Sequence, residues 1–116
     1  MTLKKIVEIL RATVVSDADS SDIDIQGAYS TDLMSNVLYY HAPNSVLITS
    51  LVNPQVVQTA EIAGIKIIVF TQNKKPDKDT IELANQKKIP LLITPFNMYI
   101  ASGKLFQAGL HGIRNN

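Results

Sequence analysis

The chain reads as an α/β domain with a mostly parallel central sheet and helices on both faces. Three short, almost wholly apolar runs predict the sheet: Ser45-Val46-Leu47-Ile48-Thr49, Ile65-Lys66-Ile67-Ile68-Val69-Phe70 and Ile89-Pro90-Leu91-Leu92-Ile93. Such continuous hydrophobicity belongs to strands covered on both sides. Helix-like stretches separate the runs, and strand–helix–strand order with short connections gives right-handed crossovers between parallel neighbours. A third pattern concerns the ends of the runs. The three runs and a fourth, shorter one at Ala28-Tyr29 break off at hydroxyl or amide residues, in Ala28-Tyr29-Ser30-Thr31-Asp32, Ile48-Thr49-Ser50 leading to Asn53-Pro54, Phe70-Thr71 and Ile93-Thr94-Pro95.

The elements follow in order. Leu3, Ile6, Val7 and Leu10 have i, i+3, i+4, i+7 spacing behind Thr2, which predicts an amphipathic helix over 3–11 capped by that threonine. Thr13-Val14-Val15 is a short β-branched strand, and the polar stretch from Ser16 to Asp22 is a loop. Ile23 and Ile25 alternate with Asp24 and Gln26 before Gly27, predicting an edge strand that begins near Ile23. Thr31 or Asp32 then caps a helix burying Leu33, Met34, Val37 and Leu38. Asn53-Pro54 is a cap followed by proline at the first helical position, with Gly64 as the stop. Val56, Val57, Ala60 and Ala63 give that helix a narrow face suited to close packing on a sheet. Asp77 or Asp79 caps a helix holding Ile81, Leu83 and Ala84, and Lys87-Lys88 suits its negative end. Thr94-Pro95 repeats the cap-then-proline pattern before a last helix with Met98, Tyr99, Ile100, Leu105 and Phe106; Met34, Met98, Tyr99 and Phe106 could line a pocket, but such stripes at helical spacing read first as core. One domain over residues 1–109 and a frayed tail over 110–116 are expected.

Composition removes several classes of function. The 116 residues contain no cysteine, so disulfides, thiol catalysis and cysteine-ligated zinc or iron–sulfur centres are excluded. The net charge is +1, with Lys4-Lys5, Lys74-Lys75 and Lys87-Lys88 spread along the chain, which argues against the clustered basic face of a nucleic-acid binder. No run approaches the ~20 apolar residues of a membrane span, and Met1-Thr2-Leu3-Lys4-Lys5-Ile6 lacks the pattern of a signal peptide, so a cytoplasmic protein is expected. His41 and His111 have no acidic or histidine partner at ligand spacing. Asp17, Asp19, Asp22 and Asp24 lack the glycine turn and terminal glutamate of a calcium loop. Neither metal nor cofactor is expected.

If the apolar runs are parallel strands, Ser30, Thr31, Asp32, Thr49, Ser50, Asn53, Thr71 and Thr94 collect at their carboxyl ends, where open α/β sheets bind ligands. Each member has a simpler structural role available to it. Asn53 and Thr94 serve as helix caps, and one of Ser30, Thr31 and Asp32 can do the same. Capping explains Thr49 and Ser50 poorly, which keeps the group as a candidate site.

Several blocks together resemble a DRTGG domain: Gly27-Ala28-Tyr29-Ser30-Thr31-Asp32-Leu33-Met34-Ser35-Asn36-Val37-Leu38, then Ile48-Thr49-Ser50-Leu51-Val52-Asn53-Pro54-Gln55-Val56-Val57, then Pro76-Asp77 through Thr80-Ile81, and Ile89-Pro90-Leu91-Leu92. The resemblance spans nearly the whole chain, to about Gly109. It implies a three-layer α/β/α sandwich like the amino-terminal domain of HPr kinase/phosphorylase, frequent homodimers, attachment in relatives to CBS-domain pairs, and a regulatory or nucleotide-sensing role. The chain has no Asp-Arg-Thr-Gly-Gly string; its nearest stretch is Asp24-Ile25-Gln26-Gly27-Ala28. Serine kinase and iron–sulfur hydrogenase, activities linked to some relatives, lack their residues here. No phosphate-cradling Gly-x-x-x-x-Gly-Lys-Ser/Thr loop is present, and no cysteine.

The expectation is therefore a non-catalytic regulatory module sensing a small anionic ligand or adenine nucleotide at the strand ends, working as a homodimer with Tyr39-Tyr40 at a partner surface. The alternative is an accessory protein that docks a redox or metabolic enzyme without a small-molecule ligand. An enzyme acting on a phosphorylated metabolite is the third and least supported reading.

Overall fold

The computed structural model describes residues 1–17 and 23–113. Its elements are α1 (Leu3–Leu10), β1 (Thr13–Val14), β2 (Gly27–Ser30), α2 (Met34–Tyr40), β3 (Ser45–Thr49), α3 (Pro54–Ala63), β4 (Ile67–Phe70), α4 (Lys78–Lys87), β5 (Leu91–Ile93) and α5 (Met98–Gln107). The five strands form one sheet in the order β1-β5-β4-β3-β2. β2 through β5 are parallel, with Ile48 beside Val69 and Val69 beside Leu92, whereas β1 runs antiparallel to β5. The three apolar runs are parallel neighbours, as their hydrophobicity required.

Alternation along the strands divides the core into two layers. Leu47, Ile68, Phe70 and Leu91 face α2, α3 and α4. Val46, Ile48, Ile67, Val69 and Leu92 face α1 and α5. All three crossovers between parallel strands thus cover the same face, as right-handed connections that advance steadily across a sheet must. The sandwich has three layers. It has no point between parallel strands at which the connections turn to opposite faces.

Local chemistry accounts for most helix ends. Thr2, Asn53 and Asp77 cap α1, α3 and α4, each side chain accepting from the backbone N–H three residues on. Gly64 ends α3 at φ 83°, a left-handed conformation that favours glycine.

Several expectations need correction. The edge strand is Gly27–Ser30 and not the stretch from Ile23: Asp24 forms only a bridge to Thr2, and Ile25 is buried beneath α1. Glycine at its first position lets Ile113 pack close against the strand, since a Cβ there would lie 3.1 Å from Ile113 Cγ2. That contact also overturns the frayed tail at 110–113. Leu110 is buried, the Ala28 N–H donates to the His111 carbonyl, and Ile113 N–H donates to the Ala28 carbonyl, so this segment lies along the outer edge of β2. In α2 only Met34 and Val37 are buried; Leu33, 56% exposed, stands at the cap position and Leu38 also faces outward. Tyr99 and Phe106 are surface residues at 86% and 61% exposure, not core. A seven-residue helix and an edge-strand neighbour leave too little covering surface to bury every apolar position. Asp19 and Asp22 lie outside the described residues.

Candidate functional site

Four loops rise from the carboxyl ends of the parallel strands: 31–33 after β2, 50–53 after β3, 71–77 after β4 and 94–97 after β5. The first two meet through Asp32. Its Oδ1 accepts from Thr49 Oγ1 at 2.8 Å and from the Ser50 N–H at 2.7 Å, and its Oδ2 accepts from Ser50 Oγ. Asp32 therefore does not cap α2. It ties the ends of two adjacent strands together, and Thr31 makes the local turn instead, its Oγ1 accepting from the Leu33 N–H at 3.0 Å.

Desolvation opposes ionisation of Asp32, yet the hydrogen bonds from Ser50 and Thr49, with the charge of Lys74, outweigh it and hold the carboxyl below its usual range. A depressed carboxyl stabilises the fold fully above its unfolded-state value and loses that contribution as pH falls through the folded one. Asp32→Ala is thus expected to destabilise by about 1 kcal/mol at neutral pH, modest because the group is solvent-exposed. Denaturation of both proteins across pH checks this: the difference should hold from about pH 5 upward and shrink below about pH 4.

The remaining predicted residues divide between surface and framework. Ser30 Oγ pairs with Ser102 Oγ on α5 at 2.6 Å, which turns it away from the Asp32 cluster. Asn53 is exposed and caps α3 through the Val56 N–H at 3.3 Å. Thr71 is 1% exposed, with its N–H on the Thr49 carbonyl, and Thr94 is fully buried. Thr94 Oγ1 donates to the Leu10 carbonyl at 2.6 Å and accepts from the Phe96 N–H at 3.3 Å. It does not cap α5; Asn97 is the cap, accepting from the Ile100 N–H at 2.9 Å. A threonine at the last sheet position is more useful stitching α1 to β5 than capping a helix three residues away, and Asn97 before Met98 was the sequence signal for the cap.

The rim thus brings Asp32 and Ser50 together above Thr49, which is itself fully buried and supports the Asp32 carboxylate from below, sets Thr31 and Asn53 beside them in sequence, and leaves Thr71 and Thr94 in the interior. Lys74, which influences the Asp32 carboxyl, was the residue missed. It sits in the loop after β4, and only the topology places that loop on the same rim.

Over residues 5–108 the sequence matches the DRTGG domain family. The chain belongs to the DRTGG domain family. A crystal structure of the CBS and DRTGG domains of the regulatory region of Clostridium perfringens pyrophosphatase, complexed with its activator diadenosine tetraphosphate, has the same fold at a TM-score of 0.69 and 16% sequence identity. The likeness covers 92% of this DRTGG domain and 46% of that chain, so the domain spans about half the length of that structure. Comparison with curated proteins gives no match. Among the described residues of this DRTGG domain no group of three or more histidines and carboxylates converges, and no helix is long and apolar enough to cross a membrane.

Proposed function

We propose that this DRTGG domain is a non-catalytic regulatory module that senses an adenine nucleotide at the carboxyl ends of its strands, around Asp32, Thr49, Ser50 and Asn53. The observation that carries the reading is the state of the Asp32 carboxylate. Thr49 and Ser50 hold it ionised with three hydrogen bonds, out of about four that a carboxylate can accept. The remaining acceptor position suits a ribose hydroxyl or an exocyclic amino group. Lys74 and the amino terminus of α3 supply positive potential for a phosphate nearby. The family and the nucleotide activator of the pyrophosphatase regulatory region support the same class of ligand. The hydroxyls of Ser50 and Thr49 donate to Asp32, but the same bonds hold that carboxyl below its usual range and make it a weak base, which favours sensing over chemistry.

Thermal denaturation with AMP, ADP, ATP and diadenosine polyphosphates tests the proposal. A binding nucleotide at 100 times its dissociation constant should stabilise the domain by about 2.7 kcal/mol, and Asp32→Ala should lose that gain. If no nucleotide stabilises the native protein, the cluster is framework, and the accessory protein that docks an enzyme replaces this reading.

The proposed module works in the cytoplasm as a homodimer, with the exposed Tyr39 and its edge-on neighbour Tyr40 at the partner surface. Light scattering at micromolar concentration should then give about twice the 12.8 kDa chain mass, and Tyr39→Ser should return it to one. A native species of one chain mass would contradict the dimer.

A further inference from the structure

A cleft of about 440 Å³ opens between α4 and the β1–β5 edge, at the opposite end of the rim from Asp32. Its walls are Val15, Pro76, Ile81 and Ile93, and its mouth carries Thr13, Asn73 and Lys75. The volume lies within the range of small-molecule pockets, and apolar walls with a few polar groups at one end are the usual form of such sites.

The polar groups reach the mouth through an unusual turn. Gln72 and Asn73 both take left-handed φ angles, 59° and 56°, although neither is glycine. Their N–H groups are held by the Phe96 and Thr94 carbonyls, each at 2.9 Å, and the Lys74 N–H by the Thr71 carbonyl at 3.1 Å. This folds the loop back over the end of β5 and presents Asn73 and Lys75 above the aliphatic wall. Consecutive left-handed residues cost free energy that the surrounding hydrogen bonds must offset.

The character of the lining selects the ligand. Among the described residues the mouth has one cation, an amide and a hydroxyl, and the lining has no carboxylate, so a metal ion or an amine finds no counter-charge. The geometry points to a binding site for a compact ligand with an apolar body and one anionic group, the body against Ile81, Ile93 and Val15 and the anion at Lys75 with Asn73 and Thr13. This site is separate from the Asp32 cluster and does not depend on the nucleotide proposal.

The probe is 1-anilinonaphthalene-8-sulfonate, an aromatic anion whose fluorescence rises in apolar surroundings, compared with the uncharged N-phenyl-1-naphthylamine. We expect saturable binding of the sulfonate at one site per chain, with amide chemical-shift changes at Thr13, Val15, Asn73 and Ile81. Lys75→Gln, at an exposed position, should weaken the sulfonate about tenfold and leave the uncharged probe unchanged, as expected for one partly desolvated ion pair. Asp32→Ala should leave both probes unaffected, which separates this result from the nucleotide test. Failure of the sulfonate to bind, shift changes confined to the exposed α5 surface at Tyr99 and Phe106, or equal affinity for native protein and Lys75→Gln would overturn the assignment.

Discussion

Replacing Thr94 by valine is expected to destabilise the domain by about 2–4 kcal/mol while leaving ligand binding intact. The substitution preserves shape and removes one hydroxyl. In the native fold that hydroxyl donates to the Leu10 carbonyl at the end of α1 and accepts from the Phe96 N–H just before α5, in a position with no solvent exposure. Valine leaves the Leu10 carbonyl buried without its partner, which costs about 1–3 kcal/mol, and removes the acceptor of the part-buried Phe96 N–H, which adds about 1 kcal/mol. For a domain of this size the melting temperature should fall by roughly 4 °C or more per kcal/mol. Thermal melts of native and Thr94→Val protein check the magnitude. A change below about 0.5 kcal/mol, the range of ordinary surface substitutions, would remove Thr94 from the framework.

The second large effect is expected at Gly64. Its φ of 83° already penalises any side chain, and a Cβ there would lie 3.1 Å from the Pro43 Cα, a backbone atom that cannot rotate away. The Gly64 carbonyl also accepts from the Asn44 N–H at 3.0 Å, so relaxing this turn would disturb the entry to β3. Left-handed strain of about 1–2 kcal/mol and a close contact of similar cost together give about 2–4 kcal/mol for Gly64→Ala. Gly109 provides the comparison. Its φ of 101° is equally unfavourable, but nothing lies within 4 Å of its Cβ position, so Gly109→Ala should cost only the conformational part, about 1–2 kcal/mol. Equal losses in the two variants would show that the Pro43 contact carries no cost.

Much of the architecture is legible in the chain because the central strands are covered on both faces, and such strands must be apolar throughout. Val46 to Thr49, Ile67 to Phe70 and Leu91 to Ile93 need no tertiary information to be recognised. The edges are different. Gly27-Ala28-Tyr29-Ser30 is half-buried and carries no clean alternation, whereas Ile23 and Ile25 alternate well but only because Ile25 packs beneath α1. The segment 110–113 has no strand pattern of its own; it is held by Ala28 backbone groups and by the absence of a side chain at Gly27. Long-range backbone pairing of this kind leaves little mark on composition.

The candidate site is legible in part for a related reason. Hydroxyl residues at strand ends are visible in the sequence, but their direction is not. Thr49 and Ser50 meet Asp32 because β2 and β3 are neighbours in parallel register, while Thr94, the first residue after β5, donates inward to α1. The cleft at Lys75 is invisible in the sequence, since its walls come from β1, β5, α4 and a loop whose left-handed turn is formed by Gln72 and Asn73, where glycine would have been the usual signal.

Recognition of an adenine nucleotide by the Asp32 cluster can be read residue by residue in a two-dimensional amide NMR titration of the native protein. Saturable shift changes are expected at Asp32, Ser50, Leu51 and Asn53 with an adenine nucleotide, and their loss in Asp32→Ala under conditions where that variant remains folded. Saturable changes located elsewhere, or none at millimolar nucleotide, would contradict it.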